Sequence, residues 1–146
     1  KRLDALIDAG DALAGDYNNA AWDRLVAGAA DERAHELART AVQMRRETDP
    51  MSLHTLAAIC AELGRTAEAQ DAILKAIAAS GEDAPRPHDW YVLGRIAEDY
   101  GERDAAVAAY RRAEPYPADG TDPEPSSSAA LARRRLEKLG IVEAVR

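Results

Sequence analysis

Trp90-Tyr91-Val92-Leu93-Gly94, then Ala97, Tyr100-Gly101, Ala106, Tyr110 and Ala113 form the stretch on which the fold turns. An earlier stretch repeats it: Leu53-His54-Thr55-Leu56-Ala57, then Cys60, Leu63-Gly64, Ala69, Ile73 and Ala76. Counted from Gly101 and from Gly64, the corresponding positions fall at the same offsets. Apolar residues recur at helical spacing on both sides of each glycine, so each run reads as two helices joined at a glycine that ends the first by a left-handed turn. The small residues at Gly94 or Ala57, and at Ala106 or Ala69, let the paired helices approach closely. Trp90 or Leu53, Leu93 or Leu56, and Tyr110 or Ile73 fill the space between them. One such pair cannot bury its apolar stripe alone, so pairs must stack.

This pattern resembles the tetratricopeptide repeat, a unit of about 34 residues with W-x2-L-G followed by A-x3-F/Y-x2-A. Trp90, Leu93, Gly94, Ala106, Tyr110 and Ala113 carry the likeness closely. Leu53, Leu56, Ala57, Ala69, Ile73 and Ala76 carry it in aliphatic form. The resemblance implies an all-α fold, a right-handed superhelical stack of antiparallel helix hairpins (an α-solenoid), and a groove lined by the first helix of each pair.

Working outward, Tyr17 to Trp22 opens a degenerate unit, with Ala34, Ala38 and Ala41 in its second helix. Asp49-Pro50 closes that unit, and Asp49 is a natural cap for the next helix. Leu3, Leu6, Ile7, Gly10 and Leu13 read as an N-terminal helix. Ser126-Ser127-Ser128 caps a last helix whose core is Ala132, Leu136 and Leu139, and Pro115, Pro117, Gly120, Pro123 and Pro125 precede it as a rigid loop. The expected layout is one domain over 1–146: an N-terminal helix (1–15), a degenerate repeat (16–49), a repeat (50–86), a repeat with its Pro-rich loop (87–125) and a capping helix (126–146). About eight helices follow from this, near 2–14, 17–29, 32–47, 51–63, 66–80, 87–100, 103–114 and 127–139. The start at Lys1 rather than Met, with abundant Ala and Arg, is what a piece of a longer bacterial protein would show.

The 146 residues carry a formal net charge of −7. An acidic surface argues against nucleic acid and against anionic membranes. No apolar stretch reaches the roughly 20 residues that span a bilayer. The single cysteine, Cys60, forbids an internal disulfide and fits a core position.

The repeat register implied by the resemblance aims Asn18, Trp22, His54, Glu62, His88, Tyr91, Arg95 and Glu98 at the groove, with Met51, Thr55, Ala58 and Asp99 beside them and Arg134 and Lys138 from the last helix. Trp, Tyr and Arg are the residue types that anchor interfaces. The family's carboxylate-clamping mode needs Lys, Asn and Arg at these offsets. Here His54 and Ala58 replace the first pair, so that mode is not expected, and Glu62, Glu98 and Asp99 point instead to a peptide of basic or mixed character. Trp22 admits two readings, groove or core. The function expected is a protein-interaction scaffold. The alternative is an architectural or self-associating module that packs on another domain of a longer chain or forms homo-oligomers.

Neither catalysis nor a cofactor is expected. Phosphate-loop, nucleophile-elbow and zincin motifs are absent from the sequence, and adjacent carboxylates such as Glu98-Asp99 diverge on a helix. His54 and His88 can approach from neighbouring helices, with Glu62 as a third ligand, but zinc needs a fuller set. His35 reads as a solvated residue near a helix start, and Arg133-Arg134-Arg135 as a solvated face.

The register makes Ala106 a helix contact. Ala106→Leu is expected to lower stability by about 1–3 kcal/mol through overpacking. An unchanged thermal unfolding midpoint would remove the register.

Overall fold

The computed structural model describes residues 2–113 and 124–141, and these form eight helices and no strand. They are α1 (Arg2–Ala9), α2 (Ala14–Val26), α3 (Glu32–Met44), α4 (Pro50–Glu62), α5 (Thr66–Ala79), α6 (Asp89–Asp99), α7 (Arg103–Arg112) and α8 (Ser128–Lys138). Helices joined by short turns pack in pairs: α2 on α3, α4 on α5, α6 on α7. Alternate helices also touch, α2 to α4, α4 to α6 and α6 to α8, so the pairs sit side by side and share a continuous core.

The termini of the helices follow from their sequences. Asp31 accepts the Ala34 amide at 2.9 Å to start α3. Asp49 accepts the amides of Met51 and Ser52 and the Ser52 hydroxyl, and Pro50 follows it at the first helical position, where no N–H is needed. Ser127 accepts the Ala130 amide at 3.1 Å to start α8. Gly64 and Gly101 end α4 and α6 at φ of 75° and 78°, and the following amides, Arg65 and Glu102, bond back to Cys60 and Ala97. At the end of α3 no glycine is present. Arg46 and Glu47 take the left-handed conformation instead, at φ of 52° and 58°, which costs about 1–2 kcal/mol per residue.

The core centres on α4. Ten consecutive residues, Ser52 to Ala61, are buried, because α2, α3, α5 and α6 all pack on this one helix. Small side chains (Ala57, Ala58, Ala61) make that enclosure possible, since they let neighbouring backbones come close. In the α6–α7 pair the same device is a glycine: a Cβ built on Gly94 would stand 2.4 Å from the Tyr110 ring. Trp90 is half-buried, with the Arg112 guanidinium 4.8 Å from its ring centroid.

The amino-terminal helix differs from expectation. It ends at Ala9, Gly10 turns the chain at φ 76°, and Leu13 lies 70% exposed at the start of α2, which begins at Ala14 rather than at 17. α1 buries none of its residues fully. The loop expected at 115–123 and the tail 142–146 lie outside the described residues.

Gly94→Ala is expected to destabilise the fold by about 1–3 kcal/mol, because the buried Tyr110 ring has no room to retreat. Urea denaturation checks this. A wild-type midpoint would mean that the α6–α7 contact is looser than described.

Candidate functional site

Two rows of side chains run across neighbouring helices. The first row is aromatic. Trp22 of α2 lies 5.5 Å, centroid to centroid, from the ring of His54 in α4. His54 in turn meets the ring of His88, just before α6, edge-on at 4.8 Å. The His54 Nε2 lies 3.1 Å from the His88 carbonyl oxygen. A carbonyl only accepts, so the proton sits on Nε2 and Nδ1 is bare, buried without a partner among the described residues. Burial, reinforced by the neighbouring His88, pushes the His54 pKa down to about 4. Asp89, fully buried beside His88, accepts the Arg86 amide at 2.9 Å. At its other end the row reaches far along the chain: Trp22 donates its indole N–H to the Ser126 carbonyl at 2.8 Å, a link spanning 104 positions.

The second row is ionic. Arg95 of α6 donates to Glu62 of α4 at 3.1 Å and lies 3.7 Å from Glu98. Arg135 of α8 donates to both carboxylate oxygens of Glu98, which also accepts the Tyr110 hydroxyl. Burial works against the Glu98 charge, but the bonds from Arg135 and Tyr110 outweigh it and hold the carboxyl below the usual range. Tyr91 lies buried in the same region. Loss of water, then the Glu62 charge, pushes its phenol up to about 12.

Of the eight residues singled out in the sequence, six make up these rows and Tyr91 lies near the ionic one, but most are less open than a groove lining would be. His54 and Tyr91 are 2% exposed and Arg95 is 7% exposed. Asn18, Trp22, His88 and Glu98 are half-buried, and Glu62 is exposed. Beside them, Thr55 and Ala58 are buried, and Met51 is exposed. Replacing Tyr91 and Arg95 by Ala would accordingly remove packing as well as any partner contact. Trp22 is half-buried, its ring against His54 and its N–H on Ser126. Arg135 was missed as a site residue: it is the partner of Glu98 rather than part of a solvated run, and Arg134 donates to the Pro125 carbonyl at 3.2 Å. The tripeptide Arg133-Arg134-Arg135 held no signal that one arginine of the three would face α6.

His35 also differs from expectation. It is buried, with Nε2 2.8 Å from Glu68, which reaches across from the first turn of α5. Cys60 of α4 joins them, so three potential metal donors lie within 4.8 Å of one another. A cation is already in place there: Arg39 stands 3.4 Å from Glu68. Burial, then the Glu68 charge, pushes the Cys60 thiol up to about 12, so it stays protonated. A recess of about 660 Å³ adjoins this cluster between α3 and α5, with Arg39, Arg46 and Lys75 at its rim. Lys75 is paired there with Asp71 at 3.1 Å and Glu47 at 3.4 Å.

Comparison with protein-family models, with curated proteins and with solved structures finds no match for this chain.

The buried His54 makes stability fall on acidification. Between the ordinary histidine value near 6.5 and about 4, the unfolded chain takes up a proton at this residue that the folded chain refuses. Stability therefore drops as pH falls through that window, by on the order of 3 kcal/mol in full. His54→Gln, which keeps a donor for the His88 carbonyl, is expected to flatten the profile between pH 6.5 and 5 in urea titrations. An equally steep profile in the variant would contradict the assignment.

Proposed function

We propose that this domain is a tetratricopeptide-type stack that serves as a protein-interaction scaffold, holding an extended peptide of basic or mixed character on the face shared by α2, α4 and α6. One observation supports this above the others: that face already holds polypeptide, through the Trp22 indole on the Ser126 carbonyl. A Trp that offers its N–H beside a ring row is a combination suited to gripping a backbone. The charge character follows from what is left over. Glu98 is enclosed by Arg95, Arg135 and Tyr110, whereas the carboxylates of Glu62, which shares Arg95, and of Asp99 are exposed to solvent. The reading is of a binding module, not an enzyme. Its one thiol is held un-ionised, and its most enclosed imidazole is tied to a backbone carbonyl.

An architectural role rests on a different observation. Leu3, Leu6 and Ile7 of α1 are only partly covered, and Leu13 next to them is 70% exposed. Another domain or a second copy packing there would complete their burial. Among the described residues no helix is long and apolar enough to cross a membrane.

Peptides selected on the folded domain from a displayed random library test the scaffold reading. They are expected to carry Arg or Lys and to bind about tenfold more weakly when Glu62→Gln and Asp99→Asn are combined, with a clear salt dependence. Selected peptides that ignore both substitutions would place the site elsewhere.

A further inference from the structure

Both rows end on the same piece of chain. The aromatic row terminates on Ser126, immediately before α8, and the ionic row terminates on Arg135, inside it. The first contact is made to α2 and the second to α6, nine positions apart on the segment. α8 also packs on α6 and α7 and buries Leu131, Ala132 and Leu136. Its end is held where Arg103 donates to the Leu139 carbonyl at 2.8 Å. Near Ser126 the attachment is lighter: Glu124, Pro125 and Ser126 are exposed, and a main-chain carbonyl makes the contact with Trp22.

We infer that the segment from Ser126 to Leu139 is the face's own occupant, an internal ligand that an incoming peptide must displace. This rests on the scaffold reading above and adds its regulation. The features that hold the segment define what can replace it: a stretch offering a main-chain carbonyl to Trp22, followed about nine residues on by a guanidinium that reaches Glu98. Arg135 is the strongest of these holds, because it pairs with a carboxylate that is only 13% exposed, where a charge-assisted bond gains most. The segment acts by raising the apparent dissociation constant of any outside peptide in inverse proportion to the fraction of time it spends undocked. Tethering favours the internal copy, so binding from outside is weak until the Arg135 contact is released.

The test uses the full chain and a labelled peptide with the sequence of residues 124–141. Its binding is compared for wild type, Arg135→Lys and Arg135→Ala, with hydrogen exchange followed in the same proteins. The peptide is expected to bind Arg135→Ala about tenfold more tightly than wild type, with Arg135→Lys between them. Amides of α8 should exchange faster in Arg135→Ala while those of α4 keep wild-type protection. Equal affinity in all three proteins, or no measurable binding to any, overturns the inference. So does loss of protection in α4 together with α8, because the segment would then be an inseparable part of the core. A domain that binds library peptides through Glu62 and Asp99 but ignores this peptide keeps the scaffold reading and loses the internal ligand.

Discussion

A helix enclosed on every side governs this molecule. α4 touches α2, α3, α5 and α6, and ten successive residues of it are closed to water. Such a helix has no polar face to spare, so its side chains must be apolar, small or individually satisfied. Ala57, Ala58 and Ala61 answer by being small, and Leu53, Leu56 and Ile59 by being apolar. The polar residues answer one at a time. Ser52 donates to Asp49 at 2.5 Å and His54 is turned to the His88 carbonyl. The unpartnered Nδ1 of His54 is what this enclosure leaves unsatisfied.

The two rows are consequences of the same side-by-side packing. When α2, α4 and α6 lie next to one another, residues far apart in sequence form lines across the helices. Trp22, His54 and His88 make one line, and Glu62, Arg95 and Glu98 another. Each line needs an end. Without the Ser126 carbonyl the indole N–H would lose its partner, and without Arg135 the half-buried Glu98 would rely on Arg95 at 3.7 Å and the Tyr110 hydroxyl. Closure by the last helix therefore repairs local electrostatics as much as it covers apolar surface.

The helices themselves were readable from spacing, because Gly64, Gly101, Asp49 and Ser127 announce their boundaries through local chemistry that acts within a few residues. The amino-terminal helix is shorter than the spacing of Leu3, Leu6, Ile7 and Leu13 suggests, because Gly10 turns the chain. Six of the chosen residues meet in two lines across the helices, but their burial is not legible from spacing. Periodicity separates one face of a helix from another. It does not say whether a further segment lies on the second face. The contact of Trp22 with Ser126 spans 104 positions and has no local signature. The burial of His35 and the pairing of Arg135 with Glu98 depend likewise on which neighbour arrives, and that is set by the assembled stack.

The Trp22 indole proton offers the most direct measurement. Its exchange with solvent can be followed by NMR alongside that of the Trp90 indole N–H, for which no hydrogen bond is seen among the described residues. If the carboxy-terminal segment lies across the α2–α4–α6 face, the Trp22 signal will exchange far more slowly than the Trp90 signal and will show cross-relaxation to protons of Pro125 and Ser126. An indole proton of Trp22 that exchanges as fast as that of Trp90, with no such cross-relaxation, would contradict it.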